Sequence, residues 1–240
     1  METTTASGFE NLSVAEMVIE KPWATQVFKK YNIDFCCGGN KNFFKTCEKL
    51  NLNAEQLISE INQAKFTGSQ DIIRYSNWST VLLCNFIVEN HHTYVKNEIP
   101  EILRLLAKTS AAHSDENTEL LLIHEQFNLL SEELLNHLEK EESVLFPLIQ
   151  ELSAKRISAE IFDKDQIKIP IELMEHEHEL AGSLMKSIRS LSNNYMPPAH
   201  ACPTFKATYL KLKDFDDDLM KHIHLENNIL FKKVIEGELK

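Results

Sequence analysis

At 240 residues, 43% of them hydrophobic, the chain suits one large domain or a small domain joined to a medium one, and either could bury a core. A formal net charge of -11 without a long Lys/Arg cluster excludes a general nucleic-acid binder, and no run of about 18 apolar residues is present to span a bilayer. Only 6 Gly and 7 Pro, with long Leu-, Glu-, Lys- and Ile-rich stretches and little strand-like alternation, predict an all-α protein.

The N-terminal METTTASGFE has neither the basic nor the apolar region of a secretory leader, and 5 cysteines, two adjacent, suit a reducing compartment. The expectation is a cytoplasmic protein. Residues 1–66 form a first unit. Ser13 with Glu16 reads as a capping box, Pro22 suits the first turn of the next helix, and Asn53 with Gln56 opens another. Between them, the paired glycines of YNIDFCCGGN signal a sharp turn. TGSQD at 67–71 is polar and aperiodic, and is the expected linker to a second unit over 77–240.

Four helical patterns follow, each matching the three-and-four spacing of a buried face. The first carries Val81, Cys84, Val88, His92, Val95, Ile99, Ile102 and Leu106, with a kink expected at Pro100. The second starts near Ser114 or Asp115, carries Ile123, Phe127, Leu130, Leu134, His137, Glu141, Val144 and Leu148, and is expected to break at Pro147. A third, expected to open at Pro170 after a longer loop over 153–169, carries Ile171, Met174, His178, Ala181, Met185 and Ile188. The fourth, opened by Pro203, carries Thr208, Leu212, Phe215, Leu219, His222, Glu226 and Ile229. An antiparallel four-helix bundle is the simplest arrangement. HLEKEESVLF at 137 and HIHLENNILF at 222 share one frame 85 residues apart, and His92 and His178 lie 86 apart, so the bundle reads as two related hairpins.

His92, His137, Glu141, His178, His222 and Glu226 thus fall on apolar stripes without a lysine or arginine beside them. An unpaired buried carboxylate costs several kcal/mol, so the two glutamates need a strong positive partner. A metal supplies it, and imidazole with carboxylate suits iron, manganese or zinc. With two ions of about six ligands each, four imidazoles and two bridging glutamates fill about eight of some twelve positions. A bridging oxygen would fill about two more, leaving about one position open per ion for a small molecule.

These motifs together (YNIDFCCGG, NHHTYVKNEIPEI, HLEKEESVLFP, MEHEHELAG and HIHLENNILF) resemble the RIC family, repair of iron centres, also called ScdA-type proteins, over nearly the whole chain. The resemblance implies a hemerythrin-like bundle holding two iron ions, oxo-bridged when oxidised, that restores iron–sulfur clusters damaged by nitric oxide or oxidants. It places the family's ligands on His92, His137, Glu141, His178, His222 and Glu226, and its partners are damaged iron–sulfur proteins, with nitric oxide or oxygen species at the di-iron centre. It favours a functional role for Cys36 and Cys37 in thiol or iron exchange. Adjacent cysteines do not readily pair with each other.

His91, His176 and His224 are expected at the surface or behind a ligand, and Glu175 behind His178 or on a solvated face. Cys47, Cys84 and Cys202 read as ordinary packing or turn residues. Where the family pattern has proline after the last Leu-Phe, this chain has Lys232, which leaves the end of the final helix open. A hemerythrin-like oxygen or nitric-oxide carrier or sensor, a ferritin-like oxidase and a dinuclear zinc hydrolase are the rival readings, while homodimer formation and enzymatic turnover stay open.

Overall fold

The computed structural model describes residues 9, 11–67, 73–154 and 165–239. Four short helices make up the N-terminal unit: α1 (Val14–Glu20), α2 (Ala24–Lys30), α3 (Phe43–Lys49) and α4 (Ala54–Thr67). The Ser13–Glu16 box forms as expected, with Glu16 N–H on Ser13 Oγ at 3.2 Å and Ser13 N–H on Glu16 Oε2 at 2.8 Å. Asn53 caps α4 through Gln56 N–H at 3.0 Å. Pro22 precedes α2 instead of starting it. The Gly-Gly turn folds back on α1, where Ala15 N–H reaches Gly39 O at 2.8 Å. A Cβ on Gly39 would lie 2.5 Å from Phe35 O, so no larger residue fits there. Residues 68–71 of the expected linker lie outside the described residues.

The bundle consists of α5 (Thr80–Phe86) continued by α6 (Thr93–His113), α7 (Glu119–Lys140) continued by α8 (Phe146–Ser153), α9 (Asp165–Leu191), and α10 (Pro203–Leu225) continued by α11 (Phe231–Glu236). The fold is all-α, as the sequence predicts. A π turn joins each continued pair: Ile87–His92, Glu141–Leu145 and Glu226–Leu230. The helices pack in a ring in which α6 meets α7 and α10, and α9 meets α7 and α10.

The π turns explain where the expected stripes fail. Each inserts one residue into the helical register and rotates all that follows by about 100°. In α9, which has none, Ile171, Met174, Ala181, Met185 and Ile188 are all buried, as expected. Within and beyond the first two π turns, Val81 and Val144 are exposed while Leu83, Ile87, Leu145, Phe146 and Ile149 are buried, although Cys84 keeps its expected burial. The break expected at Pro147 does not occur, because the helix widens into the Glu141–Leu145 π turn just before the ring and runs on to Ser153. Similarly, α6 continues through Pro100, α9 begins five residues before Pro170, and α7 starts at Glu119, later than expected. Residues 155–164 of the expected 153–169 loop lie outside the described residues. After Lys232 the last helix continues to a left-handed cap at Gly237, φ 79°.

Two apolar clusters fill the interior. The larger joins the N-terminal unit to the α6, α7, α9 and α10 faces, through Phe28, Phe35 and Phe43 on one side and Phe127, Phe205 and Phe215 on the other. The smaller gathers Leu83, Phe146, Ile149, Met174, Leu230 and Phe231. The polar layer lies where the two meet. Away from it, buried Asp216 ties α10 to α9 by accepting from Arg189 and from the Tyr195 hydroxyl at 2.8 Å. Among the described residues no helix is long and apolar enough to cross a membrane, and all five cysteines are free.

The π-turn register is open to a direct check. Leu145→Ala should cost about 2–5 kcal/mol in denaturant unfolding and Val144→Ala about 0.5 kcal/mol or less. An unbroken α-helical stripe requires the reverse order.

Candidate metal centre

All six residues singled out by periodicity converge, and all are buried: His92, Glu141 and Glu226 are 0% exposed, His178 and His222 1%, and His137 2%. They form two overlapping groups, His92, Glu141, His222, Glu226 and His137, Glu141, His178, Glu226, with ligating atoms within 4.8 Å of one another. Both carboxylates belong to both groups. Glu226 lies 2.8 Å from His222 Nε2, 3.1 Å from His178 Nε2 and 3.6 Å from His92 Nε2. Glu141 lies 3.4 Å from both His92 Nε2 and His137 Nε2. The π turns start at these two glutamates, as such turns often do at functional sites.

The donor set fits a metal. His92 Nε2, both Glu141 oxygens and Glu226 Oε2 are buried without a hydrogen-bond partner among the described residues, and all belong to this cluster. Two carboxylates in so dry a layer require compensating positive charge. Burial works against protonation of His92 and His137, yet the nearby carboxylates of Glu141 and Glu226 outweigh it and raise them to about 9 and about 10. For His222, burial dominates and its pKa falls. Despite burial, the neighbouring imidazoles hold Glu141 and Glu226 below the ordinary carboxylate range.

Three of the four outer imidazole nitrogens have their own partners, which the stripe pattern did not reveal. Glu142 Oε1 accepts from His92 Nδ1 at 2.8 Å, Glu177 Oε2 from His137 Nδ1 at 2.8 Å, and Asn227 Oδ1 from His178 Nδ1 at 2.7 Å. Lys96 and Lys140 hold the two carboxylates from the solvent side. The His137 hydrogen bond is the main reason the Glu177 pKa falls to about 2. Such partners fix ring orientation and raise ligand basicity. Two of them directly follow a glutamate of the central cluster, Glu142 after Glu141 and Asn227 after Glu226, and that adjacency is the sequence signal that could have found them.

Of the neighbouring residues, His176 is exposed, in line with expectation. His91 is buried against Asp218, Nδ1 to Oδ1 2.9 Å, because the π turn Ile87–His92 brings two successive side chains inward. His224 is buried too and donates from Nδ1 to Phe35 O at 3.2 Å, with burial lowering its pKa to about 4. It anchors the cysteine loop. Asn228 donates to Cys36 O at 3.1 Å in the same place. Glu175 backs no ligand; it lines a cavity of about 470 Å³ with Cys36, Cys37, Glu179 and Asn227, and burial raises its pKa.

The two cysteine sulfurs lie 3.8 Å apart. Cys36 Sγ–H donates to Asp34 Oδ1 at 3.2 Å, and Cys37 Sγ–H donates at 3.2 Å to the backbone carbonyl of His178. The second contact is possible because Gly182 leaves a notch one turn along α9, where a Cβ would meet Cys37 Sγ at 3.2 Å. The dithiol loop therefore touches the backbone of a residue in the central cluster. Cys36 is buried, and the neighbouring Cys37 and burial push its thiol well up.

Two outcomes follow from this geometry. A divalent cation entering the cluster must displace the protons on His92 and His137, so loading at pH 7 should release about two protons per chain, and affinity should climb as pH rises toward 9–10. Calorimetry in buffers of differing ionisation heat measures both; a pH-independent affinity contradicts the charge assignment. Gly182→Ala should displace Cys37 and raise its reactivity toward a thiol reagent about tenfold, a shift that unchanged labelling kinetics would disprove.

The hemerythrin HHE cation binding domain family model matches residues 86–234, and the ScdA_N model, described as a domain of unknown function (DUF542), matches residues 10–65. The chain is similar to the iron-sulfur cluster repair protein YtfE of Dickeya chrysanthemi (strain Ech1591), 34% identical over 233 residues, which cover 96% of this chain and 99% of the relative. It is also similar to YtfE of Yersinia pseudotuberculosis serotype O:1b (strain IP 31758), 32% identical over 232 residues, with 96% and 99% covered. With that identity along nearly its whole length and a cation-binding bundle over most of it, the chain belongs to the YtfE family of iron-sulfur cluster repair proteins.

Proposed function

We propose that the protein is a cytoplasmic di-iron protein that repairs iron–sulfur clusters damaged by nitrosative or oxidative stress. The observation that carries the reading is the pair of overlapping four-residue groups sharing Glu141 and Glu226, in a chain whose relatives are named for cluster repair. His92 and His222 with the two glutamates would hold one iron, and His137 and His178 with the same glutamates the other. Iron held there would supply affinity for nitric oxide and oxygen species, one-electron chemistry, and an ion to pass on.

The remaining roles belong to the chain. Glu141 and Glu226 carry the negative charge that the ions need. Glu142, Glu177 and Asn227 keep three of the four rings in place. The unit over 1–66 offers Cys36 and Cys37 to a cavity that Asn227 also lines, where iron or a nitrosyl group could be exchanged with a client. Partners are damaged iron–sulfur proteins, and the net charge of -11 speaks against nucleic acid. The relatives' name favours repair over a carrier or sensor. Four imidazoles against two carboxylates differ from the carboxylate-rich ferritin-like oxidase sites.

Aerobically purified protein should carry about two irons per chain, with an oxo-bridge absorption band. Loaded protein should restore activity to an iron–sulfur enzyme inactivated by nitric oxide, and Glu226→Ala should lower that rate at least about tenfold. Failure of fully loaded protein to restore the enzyme would falsify the repair reading. Cys36→Ser with Cys37→Ser should keep the iron and lose most of the repair; repair at the wild-type rate removes the cysteines from the reaction.

A further inference from the structure

The two halves of the bundle are related by the repeat, but their outer hydrogen bonds are not. Glu142 and Asn227 occupy corresponding places 85 residues apart, each on the ring of a lone histidine, His92 and His178. Glu177, on His137, corresponds at 86 residues to His91, which lies beside His222. There the correspondence ends. His91 presents its ring face, stacked on His222 with centroids 5.5 Å apart and planes 7° from parallel. Asp218 Oδ1 accepts from His91 Nδ1 at 2.9 Å. His91 Nε2 and His222 Nδ1 are both buried without a hydrogen-bond partner among the described residues. His222 Nε2 faces Glu226, so when Nε2 serves as the ligand atom Nδ1 must hold the proton and has no acceptor for it.

One metal position is therefore backed by two outer bonds, from Glu177 and Asn227, and the other by Glu142 alone. The exchange of a carboxylate for an amide at Asn227 works the other way. It is the smaller effect: a neutral hydrogen bond retains part of what a charged one gives, whereas an absent bond retains nothing. Lys96 on Glu142 and Lys140 on Glu177 act alike and do not separate the two positions.

We infer that the two metal positions are unequal: the ion between His137 and His178 is retained, the ion between His92 and His222 is the one delivered, and His91 with Asp218 sets the difference by withholding a hydrogen bond from His222. This rests on the ligand assignment proposed above. His91 is a positioning residue and touches no substrate. The asymmetry suits a donor, because the retained ion keeps Glu141 and Glu226 compensated while its neighbour leaves.

The test is release of ferrous iron from the anaerobically loaded full-length protein into excess chromophoric chelator. Two phases of equal amplitude should appear, with rates at least about tenfold apart, the scale on which outer partners alter metal affinity. His91→Glu restores a carboxylate behind His222 and should slow the fast phase alone toward the slow one. Glu177→Gln, at a half-buried position that tolerates the change, should speed the slow phase alone by about tenfold, and decides the question even if His91→Glu does not fold. A single phase releasing two irons, or Glu177→Gln shifting both phases equally, overturns the inference while leaving the ligand assignment intact. Protein that cannot be loaded with two ions sinks the ligand assignment itself, and the inference with it.

Discussion

Two fully buried carboxylates, Glu141 and Glu226, set the terms for the rest of this bundle. Neither can stay charged there without positive charge beside it, and in the metal-free chain only imidazolium can provide that. The raised pKa values of His92 and His137 express this requirement, and cations entering the cluster would take over from those protons. The charge is also graded outward: central glutamates, then imidazoles, then Glu142 and Glu177, then Lys96 and Lys140 at the surface. The outer steps are hydrogen bonds and the step from Glu141 to its imidazoles is a contact of 3.4 Å, so each charge in the series has a neighbour of opposite sign or a polar partner.

The same layer shapes the helices. It separates two apolar clusters, and three of the four bundle helices cross it through a π turn. Whatever register suits the larger cluster is shifted by one residue for the smaller. Position-by-position reading of the sequence therefore succeeded up to Glu141 and failed just past it: Leu134 and His137 are buried as the stripe requires, but Val144 faces solvent and Leu145 the core, whereas past Glu226 the expected Ile229 is still buried. α9, with no such turn, buries every residue of its expected stripe, although it starts before Pro170. Period-3.6 counting has no means of detecting an inserted residue. The six central residues remained legible because His178 lies on the uninterrupted α9 and the other five lie at the edge of a π turn or on the side that keeps the register of the longer helix.

What the sequence concealed is of another kind. His91 and His224 looked peripheral because an α-helix turns adjacent residues about 100° apart, whereas a widened turn and a docked loop bury them. Glu177 and Asn227 support rings on other helices, across 40 and 49 residues, and no local pattern predicts such pairs. Nor could spacing show that the cysteine loop rests on the His178 carbonyl through a notch at Gly182. That contact joins the two units where a modified thiol, having lost its proton, could no longer donate to the carbonyl.

The central claim is that both glutamates are shared between two ions. An anomalous-difference map at the iron edge from crystals of the loaded protein addresses it most directly. The account predicts two peaks within the bundle, one contacted by His92 and His222, the other by His137 and His178, with Glu141 and Glu226 reaching both. A single peak, or two peaks that do not share these carboxylates, would contradict it.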